Sequence, residues 1–375
     1  RPRTTATPPC GVLHVNTERG GRGGEVHTLP LARGLRDRGH RCHLAVQPGS
    51  PLEVRAREEG LPVIPFAARG ELDLAAAARL ANLLRSLRPE LVHYHTSHAI
   101  TLGTLASFLG GRPRTVATRR VSFPLRRNPL ARWKYTVRVD RIIAVSEAIR
   151  EALCAAGVPR DRVTVIHSAV DLGRFDPLPD RTACRRDLGC HDAEFLVGSI
   201  GHLAAHKGHE VLVAAAARLA PAHPALRFVL VGKGEREEEL RRSIAAAGLE
   251  GRFRLAGFRD DVTGILPALD LLAFPSLSGE GSPAVLKEAM ACGVPVAASN
   301  ISGVREVIRA GEDGLLIPPG DPAALAEAIL FFARDRDRGL EFGRRGRERA
   351  RAFGAEKMVE RTGEVYRELL TAGRP

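Results

Sequence analysis

No apolar run in the 375 residues approaches the roughly 20 residues that a membrane-spanning helix needs, so no segment is expected to cross a bilayer that way. The opening RPRTTATPPCGVLHV has no apolar signal core before the first strand, so a secretory route is not expected. It starts at Arg1 rather than Met, and a few residues are expected to precede it. The six cysteines, at positions 10, 42, 154, 184, 190 and 292, make no C-x-x-C pair and share no ligand spacing with histidine. That argues against the common zinc modules and for reduced, mostly buried thiols in a cytosolic protein. Cys184 and Cys190 flank a short helix and are the pair to check as a disulfide or metal pair. No His, Asp and Glu cluster has metal-ligand spacing. Asp335-x-Asp337 lies in the charged run RDRDRG with no strand before it, and reads as a solvated face. No metal and no bound cofactor are expected.

What the chain does have is unevenly placed positive charge. Up to Asp176 there are 28 Lys and Arg against 15 Asp and Glu, and beyond it there are 28 of each, so the net +13 belongs to the N-terminal part. A compositional bias would touch both parts. The asymmetry points to an anionic partner there: a membrane surface, a phosphorylated acceptor or a nucleic acid. The segment VATRRVSFPLRRNPLARWKYTVRV concentrates it, with Arg126, Arg127, Arg132 and Lys134 around Trp133, the sole tryptophan. Basic side chains interleaved with aromatics suit an interface with anionic lipid or a lipid-linked acceptor.

The length suggests two domains. GVLHVNT is a short buried strand, followed by the loop ERGGRGGEV with Gly21, Gly23 and Gly24, then a helix to Leu35 and the strand RCHLAV. Further strands are expected at LPVIPF, LVHYH, RTVAT, RIIAVS and RVTVIH, with helices at residues 72–87, 99–109 and 147–156. Strands alternating with helices predict parallel βαβ units. His93 and His95 end one strand, where doubly wound sheets place ligands, with His95 on the outward side. DLGRFDPLP breaks the pattern with Gly and Pro and reads as a linker. A second α/β domain starts at EFLVGSIG, and Lys207-Gly208 falls at its first strand-to-helix turn, where a lysine can clamp phosphate.

The densest stretch is SLSGEGSPAVLKEAMACGVPVAASN, residues 276–300. It reads as a glycine elbow after a buried strand, then a short helix with Ser282 as N-cap and Pro283 at its first position. Free N–H groups from Ser282 to Val285 form an anion site, flanked by Glu280 and Glu288.

E-G-S-P-A-V-L-K-E-A-M-A-C-G-V-P-V resembles the E-x7-E signature of glycosyltransferase family 4, the group-1 retaining glycosyltransferases. The similarity extends to GGRGGEVHTLPLARGLRDRGHRCHLAV, HSAVDLGRF, GFR and GLLIPPGDPAALAEAI. It implies a GT-B fold, two doubly wound Rossmann-like α/β domains facing across a cleft. The expected division is 1–176 on the acceptor side, 177–352 for the nucleotide sugar, and 353–375 as a helix crossing back. The implied donor site comprises Gly21, Gly23, Gly24, His202, Lys207, Gly257, Phe258, Arg259, Gly281, Ser282, Pro283, Ala284, Val285 and Glu288. Glu280, Arg120 and His95 are the expected catalytic residues. Where the family usually carries an arginine this chain has His202, and Arg120 stands where a histidine is common, so Arg120 is expected to serve the diphosphate.

The implied activity is sugar transfer from a nucleotide sugar, UDP-linked, to a cell-envelope glycan or lipid-linked acceptor of lipopolysaccharide type. The implied place is the cytoplasm, peripheral on the inner face of the membrane. Two other classes lack the residues they need. A dinucleotide-dependent oxidoreductase would need a third glycine where Val26 stands and an acidic residue in place of Ala45-Val46-Gln47. A basic nucleic-acid binder would explain the charge but not the elbow.

Overall fold

The structure is a computed structural model, and it describes residues 9–20, 24–120, 133–136 and 138–372. Its contacts divide the chain into two compact units. One runs up to Ala169 and resumes at Ala355; the other is Val170–Gly354. The sequence had suggested divisions at 176 and 352.

In the first unit the strands are β1 (Gly11–Asn16), β2 (Arg41–Val46), β3 (Val63–Pro65), β4 (Leu91–Tyr94), β5 (Arg114–Arg119), β6 (Arg141–Ala144) and β7 (Val163–Val165). They form one parallel sheet in the order β3-β2-β1-β4-β5-β6-β7. β1 and β4 are buried along their whole length, as expected for strands covered on both faces by helices. The helices start at side-chain caps: Ser50, Asp73, Thr96 and Ser146 accept from the N–H groups of Glu53, Ala76, Ala99 and Ile149. The helix Pro51–Glu58 was not expected from the sequence. Only its Leu52 and Ala56 are buried, too few for a visible period, and Ser50-Pro51 does the work of starting it. The last helix, Ala355–Thr371, buries Met358, Val359, Tyr366 and Leu369 in a cluster with Leu31 and Leu35. Gly34 makes room for it, since a Cβ there would stand 2.5 Å from Val359.

The second unit contains β8 (Phe195–Ile200), β9 (Leu226–Val231), β10 (Phe253–Gly257), β11 (Leu271–Phe274), β12 (Val296–Ser299) and β13 (Leu315–Ile317). Again all pairs are parallel, in the order β10-β9-β8-β11-β12-β13. Chain entry and exit lie side by side: Val170 N–H donates to the Phe353 carbonyl at 2.9 Å. Both units are thus doubly wound α/β, as the strand–helix alternation implied.

Arg185 is the largest fully buried side chain of this unit, 1% exposed. It donates to Asp270 Oδ2 at 2.9 Å and to the carbonyls of Ala268, His191 and Glu194, each at 2.8 Å. A buried guanidinium is tolerated because its fork finds this many acceptors. It also donates to Cys190 Sγ at 3.2 Å, and all six cysteines are free. The suggested Cys184–Cys190 disulfide is therefore not formed; burial raises both thiols' pKa values, and Cys190 serves as an acceptor instead.

Candidate active site

Ligands of open parallel sheets sit outside the carboxyl ends of the strands, where the strand order reverses. In the second unit the reversal falls between β8 and β11. The loop leaving β8 carries Lys207 and the loop leaving β11 carries Glu280. Lys207 Nζ donates to Glu280 Oε1 at 2.5 Å, and Ser276 Oγ donates to the same oxygen at 2.9 Å. The two loops lock by backbone as well, through Leu277 N–H to the His206 carbonyl at 2.8 Å. Gly208 permits this approach twice over: its φ is +63°, and a Cβ would sit 2.2 Å from the Pro275 carbonyl.

The helix Ala284–Ala291 follows the elbow. Pro283, not Ser282, holds the cap position and gives no side-chain bond, so the first-turn N–H groups keep no intrahelical partner. Ser282 Oγ instead accepts from Lys287 Nζ at 2.9 Å. Gly281 lies under Gly303, where a Cβ would meet the Gly281 carbonyl at 2.5 Å and that of Glu280 at 2.3 Å. Val285 and Ala284 are half-buried in the first turn, and Glu288 is 8% exposed. Burial raises the Glu288 pKa, with Arg174 and Lys287 opposing the rise.

Beside this elbow, His202 pairs through Nε2 with Glu235 at 3.2 Å. Its carbonyl faces His209, whose burial takes the imidazole pKa down to about 4. Gly257 has φ +70° and turns Phe258 outward to 63% exposure, with Lys233 Nζ 4.9 Å from the ring centre. Arg259 is held differently from the other expected donor residues. It is forked to Asp261 at 2.7 and 2.6 Å and tied to Asp187 at 2.7 Å, which raises its pKa.

In the first unit the reversal falls between β1 and β4. Thr17 and Thr96 hydroxyls meet there at 2.6 Å. His95, expected to face outward, is 2% exposed. Its Nε2 lies 3.0 Å from His14 Nδ1, while His93 bonds Tyr366 Oη at 2.6 Å and Thr118 Oγ1 at 2.7 Å. Burial lowers all three imidazole pKa values, that of His14 to about 3. Arg120 donates to the His95 carbonyl at 3.1 Å and stands 3.6 Å from Glu18. Burial lowers the Arg120 pKa and Glu18 opposes that shift. The ring nitrogens of His14, His93 and His95 come within 4.8 Å of one another. No ligand spacing in the sequence revealed this group, because His14 sits on β1 and the other two at the end of β4. Among the described residues it is the group that could hold a metal ion, although its rings already bond each other and two hydroxyls.

Gly21, Gly23, Arg126, Arg127 and Arg132 lie outside the described residues, and Gly24 opens the first helix. Lys134 does not fit the expected membrane contact. It is 8% exposed and its Nζ donates to Ser97 and Thr101 hydroxyls, each at 3.0 Å. Its long stem reaches inward to polar partners on the neighbouring helix, so its charge serves packing. Trp133 remains 37% exposed, with the Arg138 guanidinium 5.0 Å from its ring and 4.4 Å from that of exposed Phe108.

A profile described as "Glycosyl transferases group 1" matches residues 180–349, and one described as "Glycosyltransferase Family 4" matches residues 21–174. Over 356 residues the chain is 31% identical to 2-deoxystreptamine N-acetyl-D-glucosaminyltransferase of Streptomyces fradiae, with 84% of this chain and 83% of that protein covered. The chain belongs to the group-1 glycosyltransferases of family 4. The glycosyltransferase is also 29% identical to 2-deoxystreptamine glucosyltransferase of Streptomyces kanamyceticus, covering 86% of this chain and 93% of that protein. Among solved structures, the Anabaena protein Alr3699/HepE in complex with UDP-glucose superposes with a TM-score of 0.85 at 24% identity, over 95% of this chain and 99% of that one. That likeness shows the fold, the two-domain Rossmann-like GT-B architecture.

The buried histidines give the enzyme a defined acid response. Each has a folded pKa below its ordinary 6.5, so the unfolded chain binds more protons as pH falls, and stability drops below about pH 6.5. Each fully shifted group contributes about 1.4 kcal/mol per pH unit in that window. Urea unfolding of the N-terminal unit should therefore show clearly lower stability at pH 5.5 than at pH 7.5. Equal midpoints at the two pH values would contradict the neutral histidine cluster.

Proposed function

We propose that this glycosyltransferase moves a sugar from a UDP-linked donor, with retention of configuration, to an anionic cell-envelope glycan or lipid-linked acceptor. The observation that carries the donor reading is the Lys207–Glu280 pair at the reversal of the second sheet, beside a helix start with unbonded N–H groups. Lys207 and those N–H groups suit a diphosphate, first as a bound group and then as the departing one, where positive charge stabilises what the reaction releases. Exposed Phe258 offers the base a face, and the buried Glu288 carboxylate suits ribose hydroxyls. Glu280, relieved of Lys207 when phosphate takes that cation, serves the sugar. Structural neighbours solved with UDP and UDP-glucose support the uridine nucleotide.

Retention is what family membership supports. In such a transfer the nucleoside diphosphate leaves from the face that the acceptor hydroxyl approaches, so one set of donors serves both events. In this reading the neutral His95 imidazole serves the acceptor hydroxyl, and the Arg120 guanidinium beside it serves an anionic group. Sufficient fixed positive charge is present for the enzyme to need no metal.

For the acceptor, a relative named lipopolysaccharide core biosynthesis mannosyltransferase from Rhizobium meliloti supports an envelope glycan. The relatives named for 2-deoxystreptamine favour a second reading, a small aminocyclitol. The charge excess up to Asp176 opposes that one, because a cationic aminocyclitol would be repelled where an anionic glycan is attracted. Exposed Phe108, Leu109 and Trp133 beside Arg138 support contact with an anionic bilayer.

Incubation with UDP-, GDP- and ADP-sugars should release nucleotide from the UDP-sugar, and NMR of the product should show the donor's anomeric configuration; an inverted product would overturn retention. Glu280→Gln should keep the melting temperature and lower turnover about 100-fold, the usual scale for a lost positioning contact; near-normal turnover removes Glu280 from the site. Excess EDTA should leave transfer unchanged, and loss rescued by Mg²⁺ or Mn²⁺ would refute metal independence. Binding to vesicles containing anionic lipid should weaken as salt rises; salt-independent or absent binding would sink the membrane contact.

A further inference from the structure

Lys287 stands one residue before Glu288, on a helix whose other side chains explain themselves as core or as donor contacts. It is 0% exposed, a place where an ammonium is costly to hold. Its stem runs back along the helix, and Nζ donates to Ser282 Oγ at 2.9 Å, beneath the elbow. The Phe353 ring centre lies 5.6 Å from Nζ on another side. An apolar residue would fill the same volume without the cost, but it would leave Ser282 with no donor from below.

We propose that Lys287 is a positioning residue of the donor site, holding Ser282 from beneath and taking up a proton when a nucleoside diphosphate binds at the elbow. The proposal rests on the donor reading given above. Its electrostatic logic lies in the helix start. Unbonded N–H groups there carry partial positive charge, which disfavours a cation beneath them while the elbow is empty. Arrival of the diphosphate reverses the local sign and favours the ammonium form. Burial accordingly brings the Lys287 pKa down to about 7, with Glu288 opposing the drop.

Among the described residues, titratable groups face it from three elements. Glu288 lies on the same helix, and Cys292 at its end has a thiol pushed up to about 12. Arg174 comes from the turn Leu172–Phe175, while Arg347 and Arg349 come from the helix Arg336–Ala350. Arg349 lies over the same Phe353 ring at 5.1 Å. The strands β11 and β12 and the turn Leu266–Ala268 bring no titratable side chain to this helix.

The test is calorimetric titration of the whole protein with UDP, GDP and ADP at pH 8, in buffers of different ionisation enthalpy. A lysine with pKa about 7 is mostly neutral at that pH, and an anion that raises its pKa by about one to two units predicts uptake of about 0.4–0.8 proton per nucleotide. Lys287→Met should abolish the uptake and weaken binding about 3- to 10-fold. Binding of none of the three nucleotides would overturn the donor reading and this proposal with it. Binding without proton uptake, or uptake that persists in Lys287→Met, would overturn the role of Lys287 and leave the donor reading standing. Should Lys287→Met fail to fold, Ser282→Ala removes the elbow hydroxyl that accepts from the amine and should lower the uptake; an unchanged value overturns the proposal.

Discussion

The Lys207–Glu280 contact sets the terms for the rest of the second unit. Two opposite charges, drawn from loops 73 residues apart, meet at 2.5 Å with the carboxylate almost out of water. The carboxylate would be costly there alone, because a buried charge must find a partner, whereas the ammonium keeps more of its surface in water. The loops must therefore touch, and the glycines follow from that need. Gly208 allows the β8 loop to press on Pro275, and Gly303 allows the next helix to press on the elbow carbonyls. An anionic ligand that took Lys207 would release Glu280, so binding there and the freeing of that carboxylate would be one event.

The two units apply a single topological rule to different chemistry. Each sheet reverses its order once, between β1 and β4 and between β8 and β11, and each gathers its polar residues at that point. The first unit places neutral imidazoles there, with hydroxyls from Tyr366 and Thr118 satisfying one of them. The second places a charged pair and bare helix N–H groups. Neutral hydrogen-bonding groups suit sugar hydroxyls, and fixed charge suits phosphate. The same division sets the charged pair of the second unit apart from the excess of basic residues up to Asp176. That excess belongs to the chain up to Asp176, whereas Lys207 belongs to a stretch with balanced charge.

Much of this was readable before any coordinates. Alternating apolar runs and helical stretches fixed the parallel α/β class, since a strand buried on both faces has to be apolar throughout. Glycine loops after strands, Lys207-Gly208 and the elbow around Glu280 were legible because backbone close to an anion needs small residues and free N–H groups, which is a local demand. The short helix Pro51–Glu58 was not legible, because its cap forms it more than its two buried residues do.

What tertiary structure decided was which side chains were already spoken for. Lys134 looked like a membrane contact by company, yet Ser97 and Thr101 hold it. Arg259 looked like a donor contact and is clamped by Asp187 and Asp261. His14 joined His93 and His95 although nothing in the spacing of the chain connects them, and Lys287, which no motif singles out, reaches under Ser282. Sequence determined where backbone could turn and where apolar surface had to be covered, since both depend on a residue and its near neighbours. Partnership between charges and rings depends on distance in space, and only the packed sheets bring residues from separate strands within reach of a hydrogen bond.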